Sequence, residues 1–128
     1  MGTPINDSKS FINPAGMIEL RSTGPSTRTA VYKNIRALTK LAKSLQAESK
    51  PVLILIDVEE ISSSSLASRE ATLDAMLRVP HDKAAFYGPL KWQIILNTLS
   101  MVANKRETIR AFITRQEAVE WLKSKDLG

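Results

Sequence analysis

Pro51-Val52-Leu53-Ile54-Leu55-Ile56-Asp57, followed within a few residues by Ser62-Ser63-Ser64-Ser65-Leu66, is the stretch that decides the fold. An apolar run from Val52 to Ile56 with no polar alternation makes a strand that is hydrophobic on both faces. Such a strand suits the middle of a parallel sheet covered by helices, and it ends at Asp57. The serines read as a helix start, where hydroxyls cap free amides and the positive end of the helix dipole favours an anion. Open α/β sheets place ligands beyond the carboxyl ends of their strands. Asp57, Ser62, Ser63, Ser64 and Ser65 are therefore the candidates for an anion or ligand site. Simple capping also accounts for serines at such a place.

Toward the N-terminus, Lys9 to Ile12 and Met17 to Ser22 flank Asn13-Pro14-Ala15-Gly16, a turn of hairpin length. Met1 to Ser8 is polar and holds Gly2 and Pro4, so it is expected to be a flexible leader before a single domain over residues 9–126. Gly24-Pro25-Ser26-Thr27 supplies a breaker and a capping hydroxyl. Val31, Ile35, Leu38, Leu41, Ala42 and Leu45 then recur at helical spacing to about Gln46.

Toward the C-terminus, Leu66, Leu73, Met76 and Leu77 mark a second helix that stops before Pro80. Ala84-Ala85-Phe86-Tyr87 is a short strand closed by Gly88, and Pro89 opens a third helix. Ile109, Phe112 and Ile113 form a last strand. Thr114-Arg115-Gln116-Glu117 is a capping box for a fourth helix that turns Ala118, Trp121 and Leu122 inward. The alternation predicts an α/β domain with a mixed sheet of about five strands, an opening hairpin, central parallel strands and about four helices.

Two helical faces stand out. Lys33, Arg36, Lys40 and Lys43 align as a basic stripe on the first helix, which suits a solvated face, an acidic partner or an anionic lipid surface. The third helix carries Trp92, Ile94, Ile95, Leu96, Leu99, Met101 and Val102, more apolar surface than one core-facing stripe needs. Its surplus implies deep burial, a lined cavity or contact with another chain, possibilities that composition alone leaves open.

Composition excludes whole classes of chemistry. With 128 residues and no cysteine, the chain has no disulfide framework, thiolate metal site or cysteine nucleophile, which fits a cytoplasmic location. No apolar run approaches the ~20 residues that span a bilayer. The net charge of +5 favours anionic partners, but the aromatics fall at core positions, which argues against a nucleic-acid interface. The five glycines form neither a dinucleotide fingerprint nor a phosphate loop. One histidine and no Asp-x-Asp-x-Asp loop leave no metal site, and no cofactor is expected. Glu59-Glu60 reads as a solvated turn. A hydrolase would need Ser64, His81 and Asp57 to converge, without the Gly-x-Ser-x-Gly elbow, so the expectation is no enzyme.

The order of elements resembles the STAS domain of anti-sigma-factor antagonists, and in its later part the SpoIIAA-like branch, related to the lipid-binding CRAL-TRIO fold. The resemblance is carried by Met17-Ile18-Glu19-Leu20, Val52 to Asp57, Lys83 to Gly88 with Lys91-Trp92, and Arg110-Ala111-Phe112 leading to Glu117-Ala118-Val119-Glu120-Trp121-Leu122. In antagonist STAS domains an Asp-Ser-Ser-Gly-Leu motif carries a phosphorylated serine. Here Ser63 and Ser64 match it, while Ser62 replaces the aspartate and Ser65 the glycine.

The resemblance implies a non-catalytic regulatory or ligand-binding module, and two mechanisms follow. In one, a protein partner docks on the serine-rich helix start. In the other, Tyr87, Trp92, Ile95, Leu96 and Leu99 line a pocket between the third helix and the sheet for the tail of a lipid-like or anionic ligand, whose polar head meets serine amides or Lys91. The alternative is a homodimer through the third helix.

Overall fold

The computed structural model describes residues 5–124. β3 (Leu53–Ser64) lies in mid-sheet, parallel to β2 (Ile18–Ser26) on one side and to β4 (Lys83–Tyr87) on the other. β1 (Asp7–Ile12) forms an antiparallel hairpin with β2, and β5 (Ile109–Phe112) runs parallel beside β4, giving the order β1-β2-β3-β4-β5. The chain is thus an α/β domain with a five-stranded mixed sheet and four helices, in the order its sequence indicated.

Three crossovers, through α1 (Arg28–Ala47), α2 (Leu66–Arg78) and α3 (Leu90–Val102), each advance one strand in the same direction. Right-handed crossovers taken in one direction leave their helices on one face. Ile54 and Ile56 of β3 accordingly join Ile18, Leu20, Phe86 and Ile109 under those three helices. The odd residues point the other way. Leu55 packs with Met17, Ala85 and Tyr87 against Ala118 and Leu122 of α4 (Arg115–Lys123), which follows the last strand and folds back over the opposite face.

Three boundaries differ from the sequence reading. β1 begins at Asp7, so Asp7 and Ser8, assigned to the leader, pair with Thr23 and Ser22, while residues 1–4 lie outside the described part. Gly24-Pro25 does not end β2; it forms an irregularity through which pairing continues to Ser26. Gly24 has φ +79°, and a Cβ there would stand 2.7 Å from the Ile5 carbonyl oxygen, so only glycine fits. Pro25 lies past the end of the pairing with β1 and is matched only with Ser63 of β3. Correspondingly, β3 does not stop at Asp57, and Glu59-Glu60 is strand rather than turn.

Specific polar contacts fix the cover on each side. Thr114 and Glu117 close the capping box at the start of α4, and at its other end the buried Lys83 donates Nζ hydrogen bonds to the carbonyls of Trp121 (2.9 Å) and Ser124 (2.8 Å). A cation at the negative end of the helix dipole anchors α4 onto β4. On the free edge of β5, the Asn97 carboxamide of α3 accepts from the Ala111 N–H at 2.9 Å and donates to its carbonyl at 3.2 Å, occupying the groups a further strand would use.

Because Leu55 is buried between β3 and α4, Leu55→Ala is expected to lower stability by about 2–5 kcal/mol. Urea denaturation measures this; an unchanged midpoint would contradict the central position of β3.

Candidate functional site

The carboxyl ends of β2, β3 and β4 frame a cavity of about 120 Å³ on the side of α1–α3. Its apolar wall includes Ile35, Leu38, Val58, Phe86, Trp92, Ile95, Leu96 and Leu99, and its polar wall Ser22, Ser26, Asn34, Ser64, Arg69 and Thr72. Four of the five residues read as a pocket lining, Trp92, Ile95, Leu96 and Leu99, are there because they fall on the inward stripe of α3. The Trp92 indole N–H donates to the Ile61 carbonyl at 3.2 Å, which fixes the ring against the end of β3.

Tyr87 is not part of that wall. Alternation along β4 sends Ala84 and Phe86 toward the cavity and Ala85 and Tyr87 toward α4, so Phe86 takes the place assigned to Tyr87. Lys91 is exposed and lies over the Trp92 ring, 4.6 Å from its centroid.

The serine run is divided by its neighbours. Ser62, Ser63 and Ser64 belong to β3, where Ser63 and Ser64 pair with Pro25 and Ser26, so the expected helix start over Ser62 to Ser65 shrinks to Ser65. The Ser65 hydroxyl caps α2 by accepting from the Ser68 N–H at 3.0 Å, while Ser62 and Ser63 are exposed. Ser64 is half-buried on the cavity rim and accepts from Arg69 Nε at 2.9 Å. Among the described residues the Arg69 Nη groups and the Asn34 carboxamide have no side-chain partner, which leaves donors turned to the cavity mouth.

Asp57 lies on the opposite face, within a polar chain that the sequence reading missed. Its Oδ1 accepts from the Glu59 N–H at 2.8 Å, and its carboxylate lies beside the buried Tyr87 side chain. Tyr87 also meets Arg115 at the start of α4, and Arg115 Nη2 donates to Glu19 Oε1 at 2.6 Å. Asn13 Nδ2 donates to the same oxygen at 2.9 Å, and Arg21 Nη2 approaches Glu19 Oε2 at 3.5 Å. Burial opposes the charge on Glu19, but the Asn13 and Arg115 hydrogen bonds outweigh it and hold the carboxyl below its ordinary value. The signal for this cluster was a charged residue inside Met17-Ile18-Glu19-Leu20, in an otherwise buried strand.

The residues of a serine hydrolase do not meet. His81 Nδ1 is 2.8 Å from the Val79 carbonyl oxygen and Nε2 is 3.2 Å from Thr108 Oγ1, at the amino end of β4. Ser64 lies eleven residues along β3 from the partner of Lys83, roughly 36 Å away at strand spacing. Burial pushes the His81 pKa down. Lys33, Arg36, Lys40 and Lys43 are exposed on the outer side of α1, away from the cavity. No helix among the described residues is long and apolar enough to cross a membrane.

The architecture is that of a SpoIIAA-like α/β domain, so the likeness read in the sequence holds at the level of the fold. The chain is similar, at 16% identity and a TM-score of 0.61 over 95% of its length and 97% of the other, to an uncharacterized protein of the DUF3478 family with a SpoIIAA-like fold from Shewanella loihica PV-4. It is also similar to the anti-sigma factor antagonist SpoIIAA in its unphosphorylated form, at 15% identity and a TM-score of 0.55, over 92% of this chain and 99% of that one. No protein-family model matches the sequence, and no curated protein does.

Burial, followed by the charge and hydrogen bond of Asp57, pushes the Tyr87 pKa up from 10.0 to about 12. The folded state therefore favours the neutral phenol. That contribution to stability is complete below the ordinary tyrosine range and disappears as pH rises through about 12. Ultraviolet titration of the native protein should show a late phenolate step that Tyr87→Phe removes; if both tyrosines ionise together near their ordinary value, the buried chain is wrongly described.

Proposed function

We propose that this protein is a non-catalytic ligand-binding module, which holds the apolar end of a small anionic amphiphile in the cavity under α1–α3. The observation that carries the reading is the division of that cavity: an apolar interior closed by Trp92, Ile95, Leu96 and Leu99, and a rim where Ser64 orients an Arg69 guanidinium with free donors. Arg is suited to planar carboxylate or phosphate recognition. A cavity of about 150 Å³ in another protein admits a benzene ring. One ring or a short alkyl segment therefore fills this one, and the rest of the ligand lies outside. Loading such a ligand would change the surface around the α2 start and so communicate its presence.

Isothermal titration with fatty carboxylates of increasing chain length tests this. Binding is expected to be weakened at least ~10-fold by Arg69→Ala, through loss of a charge-assisted hydrogen bond, and abolished by Ile95→Trp, which fills the cavity. Absence of binding at every chain length, with native mass spectrometry of gently purified protein showing only the bare chain, would leave the cavity as a packing void.

A second reading, favoured by the exposure of Ser62 and Ser63 and by the fold shared with an anti-sigma factor antagonist, is a protein partner docked at the end of β3. Negative charge there would alter the fit by repulsion or new pairing. Once a partner is isolated, Ser63→Glu should change its affinity with no change in chain folding. Unaltered affinity would remove this reading.

A further inference from the structure

α1, α2 and α3 lie side by side on one face of the sheet, with α2 packed between the other two. Each buries one stripe: Ile35, Leu38, Ala42 and Leu45 on α1; Ser68, Ala71 and Met76 on α2; Trp92, Leu96 and Ser100 on α3. At 3.6 residues per turn, the residues opposite those stripes are Lys33, Arg36, Lys40 and Lys43 on α1, Leu66, Glu70 and Leu77 on α2, and Leu90, Ile94 and Met101 on α3. All of these are exposed, the apolar ones by 55% to 73%. Since the helices share a layer, the three outward stripes face the same way and make one surface, cationic along α1 and apolar along α2 and α3.

No other element among the described residues covers that surface. None of the four α1 cations pairs with a carboxylate among the described residues. Of the acidic groups on the outer side of α2, Asp74 is already bonded to Arg78 and Tyr32, which leaves Glu70. Five large apolar side chains facing water beside unpaired cations are costly for solubility unless something covers them.

We propose that this helical layer docks the protein on an anionic phospholipid bilayer, with α1 against the headgroups and the outer residues of α2 and α3 among the upper acyl carbons. Long Lys and Arg side chains keep their charges at the negative headgroups while the apolar side chains on the same face enter the hydrocarbon beneath. A second copy of the chain fits less well, since it would bury the cations with Glu70 as the main unengaged outward carboxylate to receive them. An acidic protein would use α1 and leave the leucines in water. This docking does not rest on the cavity reading: Ile95→Trp, which fills the cavity, leaves the outer residues in place.

Sedimentation of the full chain with vesicles tests the proposal. The protein is expected to pellet with phosphatidylcholine vesicles that contain phosphatidylserine, to stay in solution with phosphatidylcholine alone, and to be released by salt. Replacing Lys33, Arg36, Lys40 and Lys43 with Gln should weaken partitioning roughly fivefold per cation. Leu90→Ser with Ile94→Ser should also release it. All these positions are exposed, and circular dichroism checks that the variants fold. No pelleting with the anionic vesicles, or full pelleting of the Gln variant, overturns the proposal. Leucine variants that bind as well as the parent, with polyglutamate as an effective competitor, overturn it in favour of an acidic protein. A dimer by light scattering that Ile94→Ser dissociates, with no vesicle binding, overturns it in favour of a second copy.

Discussion

The structure depends on a strand that must be dry on both faces. Ile54 and Ile56 on one side of β3 and Leu55 on the other are all buried, and a five-stranded sheet achieves this only if helices cover both sides. Crossovers running in a single direction put three helices on the same face. Among the described residues the second face is left to α4 alone. Its placement is therefore specified at both ends, by the capping box and Arg115 at the start and by Lys83 under the last turn. The buried Lys83 is tolerable because the helix carbonyls satisfy its donors where the dipole is negative.

That asymmetry divides the functional end of the sheet. Three helices with long side chains over one face leave a cavity whose rim is polar, because β2 and β3 continue past their apolar segments to Ser26 and Ser64. A single helix over the other face packs on β3, β4 and β5, and near the hairpin its work is taken by the chain Asp57, Tyr87, Arg115, Glu19 and Asn13. Every member of that chain is engaged by another member, which is the arrangement of a structural clamp. A buried carboxylate such as Glu19 is held by the geometry of its donors; removing one would leave the charge uncompensated.

The sequence by itself determined the element order, the mid-sheet position of the Val52 to Ile56 run, the capping box at Thr114 and the helix start at Pro89, because periodicity and capping act over a few residues and survive in any tertiary setting. It also determined which residues of α3 turn inward, so Trp92, Ile95, Leu96 and Leu99 were legible as a wall. What only the tertiary structure decided was everything that depends on a partner strand or a neighbouring helix. β3 runs on to Ser64 because its pairing with β2 resumes after two shifts of register, at Arg21/Thr23 and at Gly24/Pro25, and no pattern within either segment announces that pairing. Tyr87 faces α4 because one residue of alternation separates it from Phe86, and a run of apolar residues carries no mark of which face is which. The clamp joins residues up to 96 positions apart, and the outer surface joins stripes from three helices; proximity of that kind is created by the fold, not by spacing along the chain.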